Sequence, residues 1–168
     1  APSSHLLPYS MRFIGIFVFR FATVSLIQFT LLLFPLRPYV EKFAAGLAVV
    51  SAWLIHLFGG AVIRQGGILS APTQDFSMEI LKGCDGVNVV ILLWSAIIAY
   101  PAKWKWRLVG MVGGLAAIQG VNLLRLISLF YLGQYNESLF DFAHLHLWET
   151  LIILDAIVVF GLWSRRAA

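Results

Sequence analysis

Charge and cysteine are both scarce in this chain. Only 12% of its 168 residues are charged, and Cys84 is its single cysteine. One cysteine cannot form an intramolecular disulfide, so the fold needs no oxidising compartment. No internal repeat, low-complexity segment or cleavable signal peptide is apparent. The net charge of +4 comes from basic residues that flank apolar runs, so it does not indicate nucleic-acid binding.

Apolar residues dominate the composition of the chain. They make up 60% of the chain, and the mean hydropathy is +0.86, more than a small soluble domain needs for its core. We predict an all-α, polytopic transmembrane helical bundle of about five spans, each close to the ~20 residues that cross a bilayer. It forms one integral membrane domain over residues 13–166, after a tail or vector-derived remnant over residues 1–12, with Met11 as a candidate native start. The predicted spans are residues 13–34, 43–62, 84–100, 106–132 and 144–163.

The distribution of Lys and Arg predicts the orientation of these spans. Arg20 and Arg125 lie inside spans, and the other basic residues divide unequally between the two membrane faces. The richer face has Arg37, Lys42, Lys103, Lys105, Arg107, Arg165 and Arg166, and the poorer face has Arg12, Arg64 and Lys82. The richer face should be cytoplasmic, which places the N-terminus outside.

The connection over residues 63–83 should then lie outside the membrane. Phe76, Met78 and Ile80 alternate with Ser77, Glu79 and Leu81, a weak strand pattern, and glycines at 66 and 67 permit a turn. Two interpretations remain open for this segment. It forms either a short extracytoplasmic β-hairpin over a functional site or an irregular loop.

Cys84 lies in the segment Gly83-Cys84-Asp85-Gly86, directly before an apolar run. A free cysteine usually packs as a small apolar side chain. Here, however, Lys82 and Asn88 make the position polar, and Gly86 permits close approach to the backbone. A thiolate at a helix N-terminus near positive charge is stabilised. We therefore predict that Cys84 is a nucleophile, with Gly86 and Asn88 as supporting residues.

Arg125 lies within an otherwise apolar span. An intramembrane arginine is costly, faces the protein interior and is a functional-site candidate by default. Gln119, Asn122 and Arg125 recur every three residues, so they share one helix face, which Ser128 extends. Snorkelling of Arg125 to a lipid phosphate is the alternative. The polar stripe favours a role inside the protein, with Asn122 in support.

His144 and His146 lie at the start of the last predicted span. They could ligate a metal ion together with Cys84, but histidines at i and i+2 of a helix point apart and no fourth ligand is evident. We predict neither a metal nor another cofactor, and assign His144 as the base or thiolate partner of Cys84. His144 is preferred to His146 for this role because Trp148, four residues later, lies on the same helix face as His144. Trp148 and His146 are predicted to be supporting residues.

The predicted orientation brings these residues to one depth. Cys84 and His144 begin spans at the outer face. Arg125 lies ~18 residues after the cytoplasmic Arg107, or ~27 Å along a helix, and so approaches the same face. We predict one catalytic site containing Cys84, Arg125 and His144.

Three motifs, in this order, resemble the exosortase/archaeosortase family of polytopic membrane cysteine transpeptidases. They are Gly83-Cys84-Asp85-Gly86, Asn122-Leu123-Leu124-Arg125, and His144 four residues before Trp148. Many exosortases have Ser at the position of Asp85 and Gly at that of Trp148. The stretches most similar to the exosortase H subfamily are residues 122–134 and 143–163.

The resemblance implies a function and a class of partner. Exported proteins with a C-terminal signal, made of a short motif, a transmembrane helix and a basic cluster, would be cleaved near the motif and transferred to another acceptor. For the exosortase H subfamily the implied motif is of the Ile-Pro-Thr-Leu…Trp-Gly type. The expected location is the bacterial inner membrane, with the site facing the periplasm or outside. The sequence leaves the acceptor and the oligomeric state unknown. The alternative is a non-enzymatic transporter or assembly factor that uses Arg125 as a binding charge.

Two further features concern packing. Arg20 and Asp155 lie at similar predicted depths in the first and last spans, so we predict a structural ion pair between them. Gly110, Gly113 and Gly114 form a small-residue surface that favours close helix packing.

Overall fold

A computed structural model describes residues 9–80 and 83–167. Its helices are α1 (Tyr9–Leu33), α2 (Arg37–Leu57), α3 (Val87–Ala99), α4 (Trp104–Tyr135), α5 (Glu137–Phe142) and α6 (Trp148–Ala167), with a π-helical turn over Ala143–Leu147 between the last two. Four helical segments are long and apolar enough to cross a membrane: Met11–Leu33, Arg37–Leu57, Trp104–Tyr135 and Glu137–Ala167. The predicted helical membrane bundle is confirmed.

The first two spans begin earlier than predicted. α1 begins at Tyr9, and α2 begins at Arg37, six residues before the predicted start at 43. Pro38 lies in the first turn of α2, where a backbone N–H has no helical partner, so proline is well placed at the start of this helix. α2 ends at Leu57, five residues before the predicted end at 62, and the first strand begins at Ile63.

The third span differs most from its prediction. α3 begins at Val87, not at Cys84, because Gly86 adopts a left-handed backbone conformation (φ 73°) that a helix does not contain. α3 ends at Ala99, just before Pro101, and has only 13 residues. At 1.5 Å per residue it is ~20 Å long, which is less than the ~30 Å of a hydrocarbon core.

A small antiparallel sheet occupies the connection between α2 and α3. β1 (Ile63–Gln65) pairs with β2 (Ile68–Ser70) through a turn at Gly66, whose φ is 61°. β2 then pairs with β3 (Ser77–Glu79), so that Leu69 lies opposite Met78. The predicted hairpin and the strand near Met78 are present, and the irregular-loop interpretation is wrong.

Two buried clusters hold the bundle together. One joins α2, the underside of the sheet and the second half of α4, and includes Ile55, Leu69, Leu126 and Phe130. The other joins α3, the first half of α4 and α6; its members include Val90, Leu93, Ile97, Ile118, Ile152 and Trp163. The sheet is therefore fixed against α4 close to the start of α3.

Glycines of α4 permit close helix contacts. A Cβ at Gly110 would collide with the indole of Trp163, and a Cβ at Gly114 would lie 2.6 Å from Leu93 Cδ2. A Cβ at Gly113 would meet nothing within 4 Å. The predicted packing role is confirmed for Gly110 and Gly114, whereas Gly113 lies on an open face.

The predicted Arg20–Asp155 ion pair is wrong. No ion pair joins these residues within the described part of the chain. Arg20 is exposed on α1, and Asp155 is half-buried on α6. α1 meets α6 through aromatic contact instead, with the rings of Phe17 and Phe160 6.3 Å apart.

We expect Gly133→Ala to destabilise the protein, because the added Cβ would collide with the ring of Phe76, which packs between Phe130 and Phe140. Overpacking of this kind typically costs about 1–3 kcal/mol. Gly120→Ala is the matched control on the same helix, since its Cβ would meet nothing within 4 Å. Thermal unfolding in detergent should show a lower midpoint for Gly133→Ala only; equal midpoints for the two variants would contradict the packing described for Phe76.

Candidate active site

Residues 83–86, termed the Cys84 turn, form a tight bend before α3. Gly83 and Gly86 both have positive φ, 98° and 73°, which non-glycine residues rarely adopt. Asp85 is 1% exposed, and its Oδ1 accepts a hydrogen bond of 2.9 Å from the Val87 N–H. The two glycines allow the bend, and the carboxylate satisfies a backbone donor at the start of α3.

The Cys84 turn docks on the polar face of α4. Gln119 Nε2 donates a hydrogen bond of 3.0 Å to the Asp85 carbonyl oxygen, and Asn122 Nδ2 donates one of 3.4 Å to Gln119 Oε1. Gly86 lies against these same two side chains, since a Cβ there would be 3.1 Å from Gln119 Nε2. Arg125 continues this face by one further turn. The stripe read from the sequence therefore faces the Cys84 turn.

His144 lies in a π-helical turn that the sequence analysis did not predict. α5 begins after Asn136, whose Oδ1 accepts a hydrogen bond of 3.0 Å from the Leu139 N–H. The helix widens at Ala143–Leu147 and continues as α6. π-helical turns within α-helices are rare and occur frequently at functional sites. The imidazole of His144 stacks on the ring of Phe140, with their centroids 5.6 Å apart.

Cys84 and His144 are in direct contact, although they are 60 residues apart in the chain. Cys84 Sγ lies 3.2 Å from His144 Nε2. When the imidazole carries its proton on Nδ1, Nε2 can accept the thiol proton. His146 is exposed and stacks on Phe142. The structure therefore brings His144 to the thiol and directs His146 elsewhere.

Arg125 is buried inside the protein. It is 3% exposed, and its Nε has no hydrogen-bond partner among the described residues. Its position inside the bundle does not fit snorkelling to a lipid phosphate. The guanidinium lies close enough to Cys84 to lower the pKa of the thiol. A buried cation of this kind is suited to stabilising a negative charge that develops during a reaction.

Burial controls the ionisation of Cys84. Removal from water raises the pKa of the Cys84 thiol above its ordinary value, and the carboxylates of Asp85 and Glu149 raise it further, while Arg125 opposes them. This direction is opposite to the one expected for a thiolate at a helix N-terminus, since Cys84 lies before the start of α3 and is partly buried. Lys82, which also entered that expectation, lies outside the described residues.

A cavity of about 570 Å³ opens on the Cys84–His144 pair. Its walls come from β3 and the residues before it, α4, α5 and the π-helical turn. Four of its lining side chains are carboxylates that the sequence analysis did not assign to a site: Asp75, Glu79, Glu137 and Asp141. They form two pairs, Asp75 and Glu79 at β3 and Glu137 and Asp141 in α5, so no single local motif groups all four. The volume is in the range of ligand-binding cavities.

The remaining supporting residues lie around this centre. Asn88 is half-buried in the first turn of α3, and Trp148 packs partly buried against the cluster that joins α2, the sheet and α4. Within residues 9–80 and 83–167, no group of three or more His, Cys, Asp or Glu side chains is arranged to hold a metal ion. The chemistry of the site is that of a thiol, an imidazole and a guanidinium.

Comparison with known proteins shows the family to which the chain belongs. The family model described as transmembrane exosortase (Exosortase_EpsH) matches residues 7–163. The chain belongs to the transmembrane exosortase family. The match includes all three motifs on which the resemblance rested, so that resemblance is confirmed. No curated protein and no solved structure matches this exosortase.

The alkylation of Cys84 in this exosortase should depend on Arg125. Only the thiolate reacts with iodoacetamide, so the rate rises about tenfold per pH unit below the thiol pKa. Because Arg125 lowers the pKa of the thiol, Arg125→Gln should raise that pKa and slow alkylation at pH 8. The plot of alkylation rate against pH should move to higher pH. Mass spectrometry can follow the reaction at the single cysteine.

Arg64→Gln is the control for this experiment, because Arg64 donates to the Gly66 carbonyl oxygen in the hairpin and is exposed. Its profile should coincide with that of the wild type. A profile for Arg125→Gln that is unchanged, or displaced to lower pH, would contradict the electrostatic role of Arg125.

Proposed function

We propose that this exosortase is a membrane-embedded cysteine transpeptidase or protease that cleaves C-terminal sorting signals of exported proteins. The observation that carries the proposal is the 3.2 Å contact between Sγ of the single cysteine and His144 Nε2, at the wall of a cavity of about 570 Å³. A nucleophile and a base within hydrogen-bond reach are the signature of covalent catalysis. Family membership supports the same assignment.

The first half of the reaction forms a thioester. His144 accepts the proton of Cys84 as Sγ attacks the carbonyl carbon of the scissile peptide. Since burial raises the pKa of the thiol, the resting cysteine is protonated at neutral pH, and proton transfer accompanies the attack. The tetrahedral intermediate then collapses. The C–N bond breaks, and the protonated His144 donates its proton to the leaving amine.

Arg125 stabilises the negative charge that develops during these reaction steps. The charge resides first on sulfur and then on the oxyanion of the tetrahedral intermediate. An oriented donor at such a position contributes about 3–4 kcal/mol to the transition state. Arg125 is buried and its Nε is without a partner among the described residues, so it need not release an existing Nε hydrogen bond to act.

The second half of the reaction resolves the thioester. His144, again neutral, accepts a proton from a second nucleophile as that nucleophile attacks the thioester carbonyl, and Cys84 leaves and regains a proton. Water in this role makes the enzyme a protease; an amine or another cell-envelope group makes it a transferase.

The proposed substrates carry a short C-terminal motif, a transmembrane helix and a basic cluster, as the family resemblance implies. The proposed location is the bacterial inner membrane, with the cavity facing the periplasm or outside, which the excess of Lys and Arg at the opposite face supports. A substrate anchored by its own helix would reach the cavity from within the membrane plane.

Cys84→Ala should abolish cleavage of a co-expressed protein that bears such a sorting tail, because no other thiol exists in the chain. Arg125→Lys should reduce the rate by about a hundredfold, since a point charge does not reproduce the guanidinium fork. Arg64→Lys, at an exposed position, is the control. Immunoblotting of precursor and product measures cleavage, and size-exclusion chromatography in detergent verifies folding. Cleavage at the wild-type rate by Cys84→Ala would overturn the proposal.

His144→Ala should be far more damaging than His146→Ala. Only His144 contacts Cys84, and loss of a general base typically costs 10²–10⁴-fold. The exposed His146 should tolerate alanine with cleavage within about twofold of the wild type, as surface positions usually do. The same assay checks both variants. An inactive His146→Ala beside an active His144→Ala would reverse the assignment.

A further inference from the structure

We propose that Gln119 is a positioning residue, which sets where Cys84 Sγ meets His144 by holding the Cys84 turn on α4. This inference rests on the proposed function and extends it to a side chain that touches none of the reacting atoms. The contact that carries it is the 3.0 Å hydrogen bond from Gln119 Nε2 to the Asp85 carbonyl oxygen. That carbonyl lies one residue beyond the nucleophile.

The orientation of the Gln119 amide is set from its other end. Asn122 Nδ2 donates to Gln119 Oε1, and Asn122 is fully buried, at 0% exposed. Because Oε1 accepts this bond, the NH₂ group of Gln119 points to the Cys84 turn. The helix thus presents a donor from Gln119, and the Cys84 turn presents the Asp85 carbonyl oxygen as its acceptor.

Gly86 makes this contact close as well as directed. A Cβ at Gly86 would lie 3.1 Å from Gln119 Nε2 and 3.3 Å from Asn122 Cγ, tighter than ordinary packing. Only a glycine permits both the left-handed backbone and this approach. The turn therefore rests on Gln119 and Asn122 without an intervening side chain.

The two reacting groups reach the cavity on different supports. His144 belongs to the segment Glu137–Ala167, whereas Cys84 precedes α3 and is held through Asp85 to α4. Their 3.2 Å contact depends on where the Cys84 turn sits relative to α4. Misplacement of a reacting group by about 1 Å costs about a hundredfold in rate. Loss of the Gln119 bond removes the directed contact that sets this position.

The test is a double-mutant cycle between Gln119 and His144, measured by iodoacetamide alkylation of Cys84 in detergent micelles. Gln119→Met keeps the length of the side chain and removes its donor. Gln134→Met is the matched control, because Gln134 lies on the same helix and its Nε2 also donates to a backbone carbonyl, that of Phe130, at 3.0 Å. Gln119→Asn, which keeps the amide but is shorter, replaces the methionine variant if the latter does not fold.

Gln119→Met should slow alkylation about tenfold or more, as His144→Ala should, because both remove assistance to thiol deprotonation. The double variant should be no slower than His144→Ala alone, since His144 no longer acts when the turn has moved. Gln134→Met should react within about twofold of the wild type. Two results would overturn the proposal. One is an alkylation rate in the double variant that is lowered by the product of the two single effects. The other is an alkylation rate for Gln119→Met equal to that of the wild type.

Cleavage kinetics separate this inference from the proposed function. Gln119→Met should lower kcat by about a hundredfold and leave KM unchanged, because it alters the nucleophile and not the binding of the sorting tail. If the wild type cleaves no sorting tail but the alkylation cycle is non-additive, the proposed function fails and the positioning role stands. If the wild type cleaves and the cycle is additive, only the positioning role fails.

Discussion

The polar face of α4 needs partners inside an otherwise apolar bundle, and much of the site follows from how it obtains them. A buried amide without a hydrogen bond costs free energy, more so where lipid and not water surrounds the protein. Gln119 and Asn122 bond to each other, and Gln119 also bonds to the Asp85 carbonyl oxygen. The segment that carries Cys84 thereby meets part of this requirement, while Asn122 Oδ1 and Arg125 Nε have no hydrogen-bond partner among the described residues. The same hydrogen bonds give buried amide groups partners and hold the Cys84 turn on α4.

The arrangement implies a thiol that loses its proton less readily than a free cysteine does. Burial raises the pKa of the Cys84 thiol and so favours its protonated form, which reacts less readily with electrophiles than a thiolate does. In the proposed reaction His144 Nε2, 3.2 Å from Sγ, accepts the proton, and the charge on sulfur is opposed by Asp85 and Glu149 but favoured by Arg125. The proposed reaction therefore depends on proton transfer inside the cavity, in contrast to a preformed thiolate that would react with any compatible molecule that reached it.

The proximity of Cys84 and His144 was predictable from the sequence, whereas the local backbone geometry around them was not. Cys84, Arg125 and His144 were identifiable because each is a costly or reactive side chain in an apolar setting, where it needs a reason to be present. The spacing of Gln119, Asn122 and Arg125 also predicted a shared helix face. The start of α3 was misplaced because the left-handed backbone of Gly86 overrides the apolar pattern that follows it.

Other features had no local signal at all. The π-helical turn at Ala143–Leu147 depends on a single extra residue per turn, which hydrophobic periodicity over so short a stretch does not register. The carboxylates of the cavity come together only when β3, α4 and α5 pack around the Cys84 turn. The prediction of an Arg20–Asp155 ion pair was wrong because equal depth in two spans does not specify which faces of the two helices meet.

The shortness of α3 leaves room for the cavity beside α4. α3 has 13 residues where α4 has 32, and it packs against α1, α4 and α6. Within Val87–Ala99 only Leu92 is exposed, so neighbouring helices enclose α3 on most sides. α3 packs on the first half of α4, whereas the second half packs on α2 and the sheet. Because α3 does not extend past the Cys84 turn, β3, the second half of α4 and α5 line the cavity beside the thiol.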